Sequence, residues 1–168
     1  MNCREAADIL WNAEQNRNQI VKLTETYPDM SIQDAYEIQL INVARKIAAG
    51  EKVVGMKIGL TSKAMQNLLN VNEPDYGHLT DKMLLLEGAT CPTNELIQPK
   101  VEGELAFCLK QTLRGPGVTI ADVYNATSWV VPSIEIVDSR IKDWKISLAD
   151  TIADNGSSAR FVLGSKMT

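Results

Sequence analysis

The segment VEGELAFCLK at residues 101–110 alternates regularly between two kinds of side chain. Because successive side chains of a strand point to opposite faces of a sheet, Glu102 and Glu104 share one face there, and the larger apolar residues share the other. The pattern therefore predicts a β-strand that carries two carboxylates close to a common point.

Two carboxylates so close together repel each other unless a cation lies between them. Hard divalent ions such as Mg²⁺ and Mn²⁺ accept carboxylate oxygens, and Glu135, within the apolar run VVPSIEIV, is a natural third ligand. An ionised carboxylate is costly to bury in such a run unless it is paired or bound to a metal. Spacing alone favours the simpler interpretation for Glu102 and Glu104, that both point to solvent from a half-exposed strand.

Further polar residues are candidates for chemistry because of their neighbours. Lys57 lies within the strand-like run VVGMKIGL, so it either points to solvent from an edge or pairs with an anion in a cleft. Asp75 lies in NEPDYGHLTD, whose Pro, Gly, Asp and Asn content predicts a functional loop. Ser139 and Arg140 come just after VVPSIEIV and are candidates for substrate binding, although polar residues at strand ends are solvated by default.

The rest of the chain predicts an α+β protein. Periodic apolar residues indicate one amphipathic helix at residues 3–25 and a second at 32–49, which begins at a capping box of Ser31 and Asp34. Pro132, within a predicted strand, indicates an edge or a bulge. The other predicted elements are strands at residues 53–60, 83–86, 101–110 and 129–141, short helices at 63–70 and 120–127, a polar loop at 153–158, and a strand that runs into Gly164.

Composition is typical of an ordinary soluble globular protein. The 168 residues are 45% apolar and 23% charged, which predicts one domain over residues 1–168, with a helical region at 1–50 and a β-rich core at 51–168. A net charge of -4 without clustered Lys and Arg argues against nucleic acid as a partner. The charged amino terminus resembles neither a signal peptide nor a spanning helix, so a cytoplasmic location without membrane contact is predicted.

Several classes of site lack support in the sequence. The three cysteines are widely spaced, so reduced structural thiols are predicted, and the single histidine, His78, cannot form a multi-histidine metal centre. A lone histidine is more often structural than catalytic. The GxGxxG, Walker A and GxSxG motifs do not occur, so nucleotide binding and serine hydrolysis are not predicted.

Five blocks of sequence, taken together, resemble one enzyme family. They are VVGMKIGLTSKA (53–64), VNEPDYGHLTD (71–81), IQPKVEGELAF (97–107), PSIEIVDSRIKDWK (132–145) and TIADNGSSARFVLG (151–164). In this order they are similar to the 2-oxopent-4-enoate hydratases, also called 2-hydroxypenta-2,4-dienoate hydratases, of the fumarylacetoacetate hydrolase superfamily. The blocks cover nearly the whole chain.

The resemblance implies a metal-binding β-rich core of the fumarylacetoacetate hydrolase type and assigns roles to particular residues. Glu102, Glu104 and Glu135 would bind Mg²⁺ or Mn²⁺, and Lys57 and Asp75 would transfer protons or position the substrate. The implied reaction adds water to 2-hydroxypenta-2,4-dienoate and gives 4-hydroxy-2-oxopentanoate, in bacterial breakdown of aromatic compounds. Related enzymes decarboxylate 2-oxo-3-hexenedioate on the same metal core, but the EGELAF and DSRIKDWK blocks look more like the hydratases.

Family members continue with further strands beyond the position of Gly164. The resemblance therefore implies that this sequence is the amino-terminal part of a domain, with apolar surface and strand edges exposed. A small 2-oxo acid or dienoate is the expected ligand. A homo-oligomer, or an assembly with a related decarboxylase or aldolase subunit, is the expected state, and a shortened, catalytically silent partner subunit is the alternative to an enzyme.

Overall fold

The structure is a computed structural model that describes residues 1–68 and 70–166, with the backbone alone at Leu68. Helices from the amino-terminal third pack on one another, and a two-stranded ribbon and a mixed β-sheet follow them along the chain. The α+β class predicted from the sequence is confirmed.

The first predicted helix is two helices in the structure. α1 spans Cys3–Asn16 and α2 spans Leu23–Thr26, so the prediction of one continuous helix is wrong. Arg17 ends α1 in the left-handed conformation, with a φ of 54°. The N–H of Ile20 then donates to the carbonyl of Arg140 at 2.9 Å, so a tertiary hydrogen bond overrides the helical periodicity.

The second predicted helix is confirmed to within one residue, because α3 spans Ile32–Ala48. Its predicted capping box is also present. The N–H of Asp34 donates to the Ser31 hydroxyl at 3.1 Å, and the N–H of Ser31 donates to the Asp34 carboxylate at 2.9 Å. α3 packs against α1 and against α6, which spans Leu148–Ala153, and the apolar side chains between these helices form the main hydrophobic cluster.

A two-stranded antiparallel ribbon follows α3. β1 spans Val53–Gly59, as predicted, but β2 spans Asp75–Thr80, so the loop predicted there is wrong. The glycine in this segment serves close packing rather than a turn. A Cβ atom at Gly77 would come within 2.5 Å of the carbonyl oxygen of Asn155, which lies against the strand.

The remaining strands form one mixed sheet in the order β3-β6-β5-β4, with β3 and β6 parallel and the other neighbours antiparallel. Their bounds are Leu84–Leu85 for β3, Lys100–Leu109 for β4, Thr127–Val137 for β5 and Ser158–Leu163 for β6. Two short helices precede strands, α4 at Lys63–Leu68 and α5 at Ile120–Ala126. The helix predicted at α4 also included residue 69, which lies outside the described residues.

β5 ends at Val137, whereas the sequence predicted a strand that reached Ile141. The chain leaves the sheet at Asp138, because the side chain of this residue accepts hydrogen bonds from two backbone N–H groups on another segment. These donors are Ile97 at 2.9 Å and Gln98 at 2.6 Å. A buried carboxylate satisfied in this way fixes the end of the strand.

Pro132 lies inside the sheet, although it predicted an edge or a bulge. It pairs with Leu105 of β4 in regular register, and its carbonyl accepts a hydrogen bond from Gly164 at 2.8 Å. In an antiparallel pair the N–H and C=O of one residue face the same neighbour, so the missing N–H of Pro132 faces the side of β6. The register with β6 begins at Ser133, so the proline lies where that ladder ends.

One face of the sheet is apolar and exposed, as the resemblance implied. Val101, Leu105 and Phe107 of β4 and Ile134 of β5 are between 45% and 69% exposed. The opposite face carries the glutamates of both strands. Among the helices within the described ranges, none is long and apolar enough to cross a bilayer.

Candidate metal centre

Three glutamates converge on one face of the sheet. β4 and β5 pair so that Glu102 lies directly opposite Glu135, and Glu104 follows on the same face of β4. One ligand oxygen from each lies within 4.8 Å of the other two. Oxygens bound to a hard divalent ion lie about 2.0–2.6 Å from it, so atoms up to about 5 Å apart can share one ion. The structure thus brings together the three residues that the sequence nominated as metal ligands.

The three carboxylates differ in their access to water. Glu135 is only 2% exposed, Glu104 is half-buried, and Glu102 is exposed. Burial raises the pKa of Glu104, and the negative charge of Glu135 raises it further, while Lys57 acts in the opposite direction. A divalent cation would relieve this repulsion, so the electrostatics favour a metal ion at this position.

The two oxygens of Glu135 have different surroundings. The hydroxyl of Ser158 donates to Oε1 at 2.6 Å. Oε2 lies 2.9 Å from Nζ of Lys57, yet the two atoms are not aligned for a hydrogen bond, and Oε2 accepts none from the residues in the described part of the chain. Oε2 is therefore a buried, charged oxygen with free acceptor capacity, which suits a metal ligand.

Lys57 pairs with an anion rather than with solvent. It is 8% exposed, and besides its charge contact with Glu135 its Nζ donates to the carbonyl oxygen of Gly156 at 3.1 Å. Its backbone pairs with Gly77 in β2, and its side chain reaches Glu135 in β5, so Lys57 links the β1–β2 ribbon to the sheet. Of the two alternatives that the sequence left open for Lys57, the structure has the buried ion pair.

Asp75, the first residue of β2, is also buried, with 3% exposure. Its Oδ1 accepts no hydrogen bond from the residues that the structure describes. Burial raises the pKa of Asp75, and Glu135 raises it further against the opposing charge of Lys57. Gly59 makes room for this carboxyl group, because a Cβ atom there would lie 2.1 Å from Oδ1. Asp75 can thus retain a proton at a higher pH than a solvated aspartate.

Ser139 and Arg140, the candidates for substrate binding, lie in a buried polar network. Arg140 forms an ion pair with Asp154, and its guanidinium also donates to the carbonyl oxygen of Asp138 at 2.7 Å. The hydroxyl of Ser139 accepts a hydrogen bond from the N–H of Ile141 at 3.1 Å. These contacts stabilise the chain after β5, and a role in substrate binding stays a prediction.

Sequence reasoning did not single out Ser158 or Gly156, which contact the charged pair. Both belong to the polar run DNGSS, which was predicted only as a loop. A polar run followed directly by an apolar strand is the one local signal that could have drawn attention to them. His78, the lone histidine, contacts Gln39 through Nδ1 at 2.9 Å, and burial lowers its pKa, in agreement with the structural role that the sequence favoured.

Three carboxylates that converge on one face of a sheet are a donor set for a hard divalent cation, and a buried lysine and a buried aspartate of raised pKa beside them are typical of an enzyme site. No family model matches the chain. A 2-hydroxypent-2,4-dienoate hydratase of Pseudomonas putida is 53% identical over 161 residues, which are 95% of this chain and 72% of that protein. A 2-hydroxyhexa-2,4-dienoate hydratase of Comamonas testosteroni is 50% identical over 95% of this chain and 61% of that protein.

The fold has a close counterpart among solved structures. The 4-oxalocrotonate decarboxylase from Pseudomonas putida G7, complexed with magnesium and adipate, matches with a TM-score of 0.95 and 37% identity. The match covers 100% of this chain and 65% of that one. The chain therefore spans between 61% and 72% of the length of these three proteins. This chain belongs to the family of 2-hydroxypenta-2,4-dienoate hydratases, as its sequence blocks indicated, and it has the predicted fold of the fumarylacetoacetate hydrolase type.

Proposed function

We propose that this chain is a divalent-metal-dependent hydratase that converts 2-hydroxypenta-2,4-dienoate into 4-hydroxy-2-oxopentanoate in the breakdown of aromatic compounds. The observation that carries the proposal is the convergence of Glu102, Glu104 and Glu135 beside Lys57 and Asp75. Membership of the hydratase family supports the reaction, and the geometry supports the metal.

The donor set fits a hard divalent cation. Three carboxylates lie within reach of one ion, and Oε2 of Glu135 is buried with free acceptor capacity. We propose that Glu102, Glu104 and Glu135 hold Mg²⁺ or Mn²⁺, and magnesium is the ion named for the decarboxylase structure. When bound, such an ion supplies Lewis acidity towards the oxygens of a 2-oxo acid.

We propose that Lys57 and Asp75 take part in the proton transfers of this reaction. One proton must reach carbon when the dienol ketonises, and another must reach C3 after water has added at C4. Because burial raises its pKa, Asp75 is suited to hold and return a proton at Oδ1. The Lys57 ammonium, fixed by Gly156 and Glu135, supplies a buried positive charge that favours an enolate over the neutral ketone.

Decarboxylation of 2-oxo-3-hexenedioate is the second candidate reaction. The observation that favours it is the TM-score of 0.95 to a 4-oxalocrotonate decarboxylase. The identities favour hydration, because they are 53% and 50% to the two hydratases, whereas they are 44% to a 4-oxalocrotonate decarboxylase of Pseudomonas sp. strain CF600 and 37% to the decarboxylase of solved structure. Both reactions need the same cluster of carboxylates, so the cluster does not discriminate between them.

The alternative to an enzyme is a catalytically silent partner subunit. The exposed apolar face of β4 and β5 supports it. Assembly as a homo-oligomer, or with a decarboxylase or aldolase subunit, and a cytoplasmic location are further parts of the proposal. Size-exclusion chromatography with light scattering would test assembly: a monodisperse oligomer is expected, and aggregation relieved by another subunit would favour the silent partner.

The activity test is an absorbance assay with freshly generated 2-hydroxypenta-2,4-dienoate, with and without Mg²⁺ or Mn²⁺. Metal-dependent loss of the dienol with formation of 4-hydroxy-2-oxopentanoate is the expected result, and Glu104→Gln is the matched inactive control. No turnover from folded protein would contradict the hydratase. Turnover of 2-oxo-3-hexenedioate in its place would identify the decarboxylase.

A further inference from the structure

The turn that holds Lys57 has an unusual backbone. Asn155, Gly156 and Ser157 have φ values of 56°, 62° and 54°, so three consecutive residues lie in the left-handed region. Residues other than glycine adopt this region at a cost in free energy, and a run of them persists only where surrounding contacts hold it. The contacts that hold this turn therefore determine where its backbone groups lie.

The side chain of Asn155 supplies two such contacts, both with the backbone of His78 in β2. The N–H of His78 donates to Oδ1 of Asn155 at 2.8 Å, and Nδ2 of Asn155 donates to the carbonyl of His78 at 2.9 Å. The carboxamide thus continues the hydrogen bonding of the strand as a neighbouring backbone would. Gly77 lets the turn approach, since a Cβ atom there would come within 2.5 Å of the Asn155 carbonyl oxygen.

The next residue, Gly156, accepts a hydrogen bond from Lys57 and lies close against the stem of that side chain. Its carbonyl oxygen accepts from Nζ at 3.1 Å, and a Cβ atom on Gly156 would lie 3.1 Å from Cδ of the lysine. The backbone of Lys57 is fixed independently, through its pairing with Gly77. Clamping the turn onto β2 therefore fixes the distance between the start of the Lys57 side chain and the carbonyl that receives its end.

We propose that Asn155 is a positioning residue for Lys57: its carboxamide locks the left-handed turn onto β2, so that the Gly156 carbonyl holds the ammonium group against Glu135. The proposal concerns the machinery of the proposed hydratase and in its kinetic part rests on that function. Its structural part does not, because the position of Lys57 can be measured without turnover.

The test is the rate at which Lys57 is methylated by formaldehyde and a reductant in metal-free protein, measured by peptide mass spectrometry. Asn155→Gly deletes the clamp and keeps a residue that accepts a positive φ, so it adds no backbone strain. We expect Lys57 to be labelled about tenfold faster in this variant, because a hydrogen bond to a charged group is lost from a buried site. Asn155→Asp keeps the shape and the acceptor for the His78 N–H but loses the donor, so an intermediate rate is expected.

Asn42→Ala is the matched control, because its Nδ2 also donates to a backbone carbonyl at 3.1 Å, but to that of Ala7 in α1 and not to β2. It should leave the Lys57 rate unchanged. Lys46, which is half-buried on α3, serves as the internal reference for general opening of the fold. Unchanged labelling of Lys57 in Asn155→Gly, or a rise shared equally by Lys46, would overturn the proposal. If Asn155→Gly does not fold, the same comparison in Asn155→Asp decides.

The kinetic counterpart applies once hydratase turnover has been measured. A misplaced ammonium should lower kcat by roughly tenfold or more, while KM changes by less than about twofold. A change in KM alone would contradict positioning of Lys57. Absence of turnover in the unsubstituted chain would count against the hydratase, and the labelling result would still decide the role of Asn155.

Discussion

Replacing Lys57 by methionine would leave Glu135 buried without its counter-charge. The two side chains are 7% and 2% exposed and their charged atoms lie 2.9 Å apart, so water screens this pair little. Removing one partner of a buried ion pair destabilises a protein by about 3–5 kcal/mol. Because Ser158 still donates a hydrogen bond to Glu135, we expect a loss at the lower end of this range, about 3 kcal/mol. For a chain of this length that is a fall in Tm of about 6–12 °C.

The assay is urea and thermal unfolding in the presence of a chelator, with and without added Mg²⁺. If the ion binds at Glu135 in the folded state, it replaces the missing positive charge, and saturation to about 100 times Kd would restore about 2.7 kcal/mol. The double variant Lys57→Met with Glu135→Gln should also recover stability, because no unpaired charge remains. Lys46→Met, which breaks the more exposed pair with Glu14, is the control, and its loss should stay below about 1 kcal/mol.

Two results would refute this reasoning. A loss in Lys57→Met no larger than that in Lys46→Met would mean that the Lys57–Glu135 pair does not compensate a buried charge. Failure of Glu135→Gln to rescue Lys57→Met would mean that the loss arises from packing of the lysine stem and not from the uncompensated carboxylate.

Three further substitutions test the site. Glu104→Gln should weaken Mn²⁺ binding by more than about tenfold and abolish turnover with little change in the circular dichroism spectrum; unchanged affinity by titration calorimetry would remove Glu104 from the ligand set. Gly59→Ala should lower the free energy of unfolding in urea by about 1–3 kcal/mol, because its Cβ atom would lie 2.1 Å from Oδ1 of Asp75. If the free energy of unfolding does not change, the carboxyl group of Asp75 can move away freely. Burial raises the pKa of Asp75 above its unfolded value of about 3.9. Between the unfolded and the folded pKa the folded chain binds more protons than the unfolded chain, so its stability falls as the pH rises through this interval. Asp75→Asn should therefore raise the free energy of unfolding at neutral pH and flatten this pH dependence, and a lower value at neutral pH would contradict the raised pKa.

The local elements of this protein were largely predictable from its sequence. α3 begins at the capping box of Ser31, as predicted. A capping residue is adjacent to its helix in the sequence and satisfies the free N–H groups of the first turn without any distant partner. The alternation at residues 101–110 gave β4 and placed Glu102 and Glu104 on one face, because the period of a strand is two. Where prediction failed, at the end of α1 and at β2, the deciding contacts came from distant residues.

The candidate site was predictable as a list of residues but not as an arrangement. The sequence blocks named Glu102, Glu104, Glu135, Lys57 and Asp75, and the structure places all five in or beside one cluster. The residues alone did not determine whether the two glutamates on β4 merely point to solvent, or whether Lys57 is buried. The spacing of residues along a chain does not determine the register in which two strands pair.

What the sequence determined by itself was the type of most elements and the chemical kind of the site, because periodicity, capping and side-chain charge are properties of short segments. Tertiary structure decided the pairing of Glu102 with Glu135 and the conversion of a Pro- and Gly-containing segment into β2. It also decided that an asparagine turn would hold Lys57. The physical reason is that strand register, desolvation and the left-handed turn depend on groups that are far apart in the chain and meet only in the folded state.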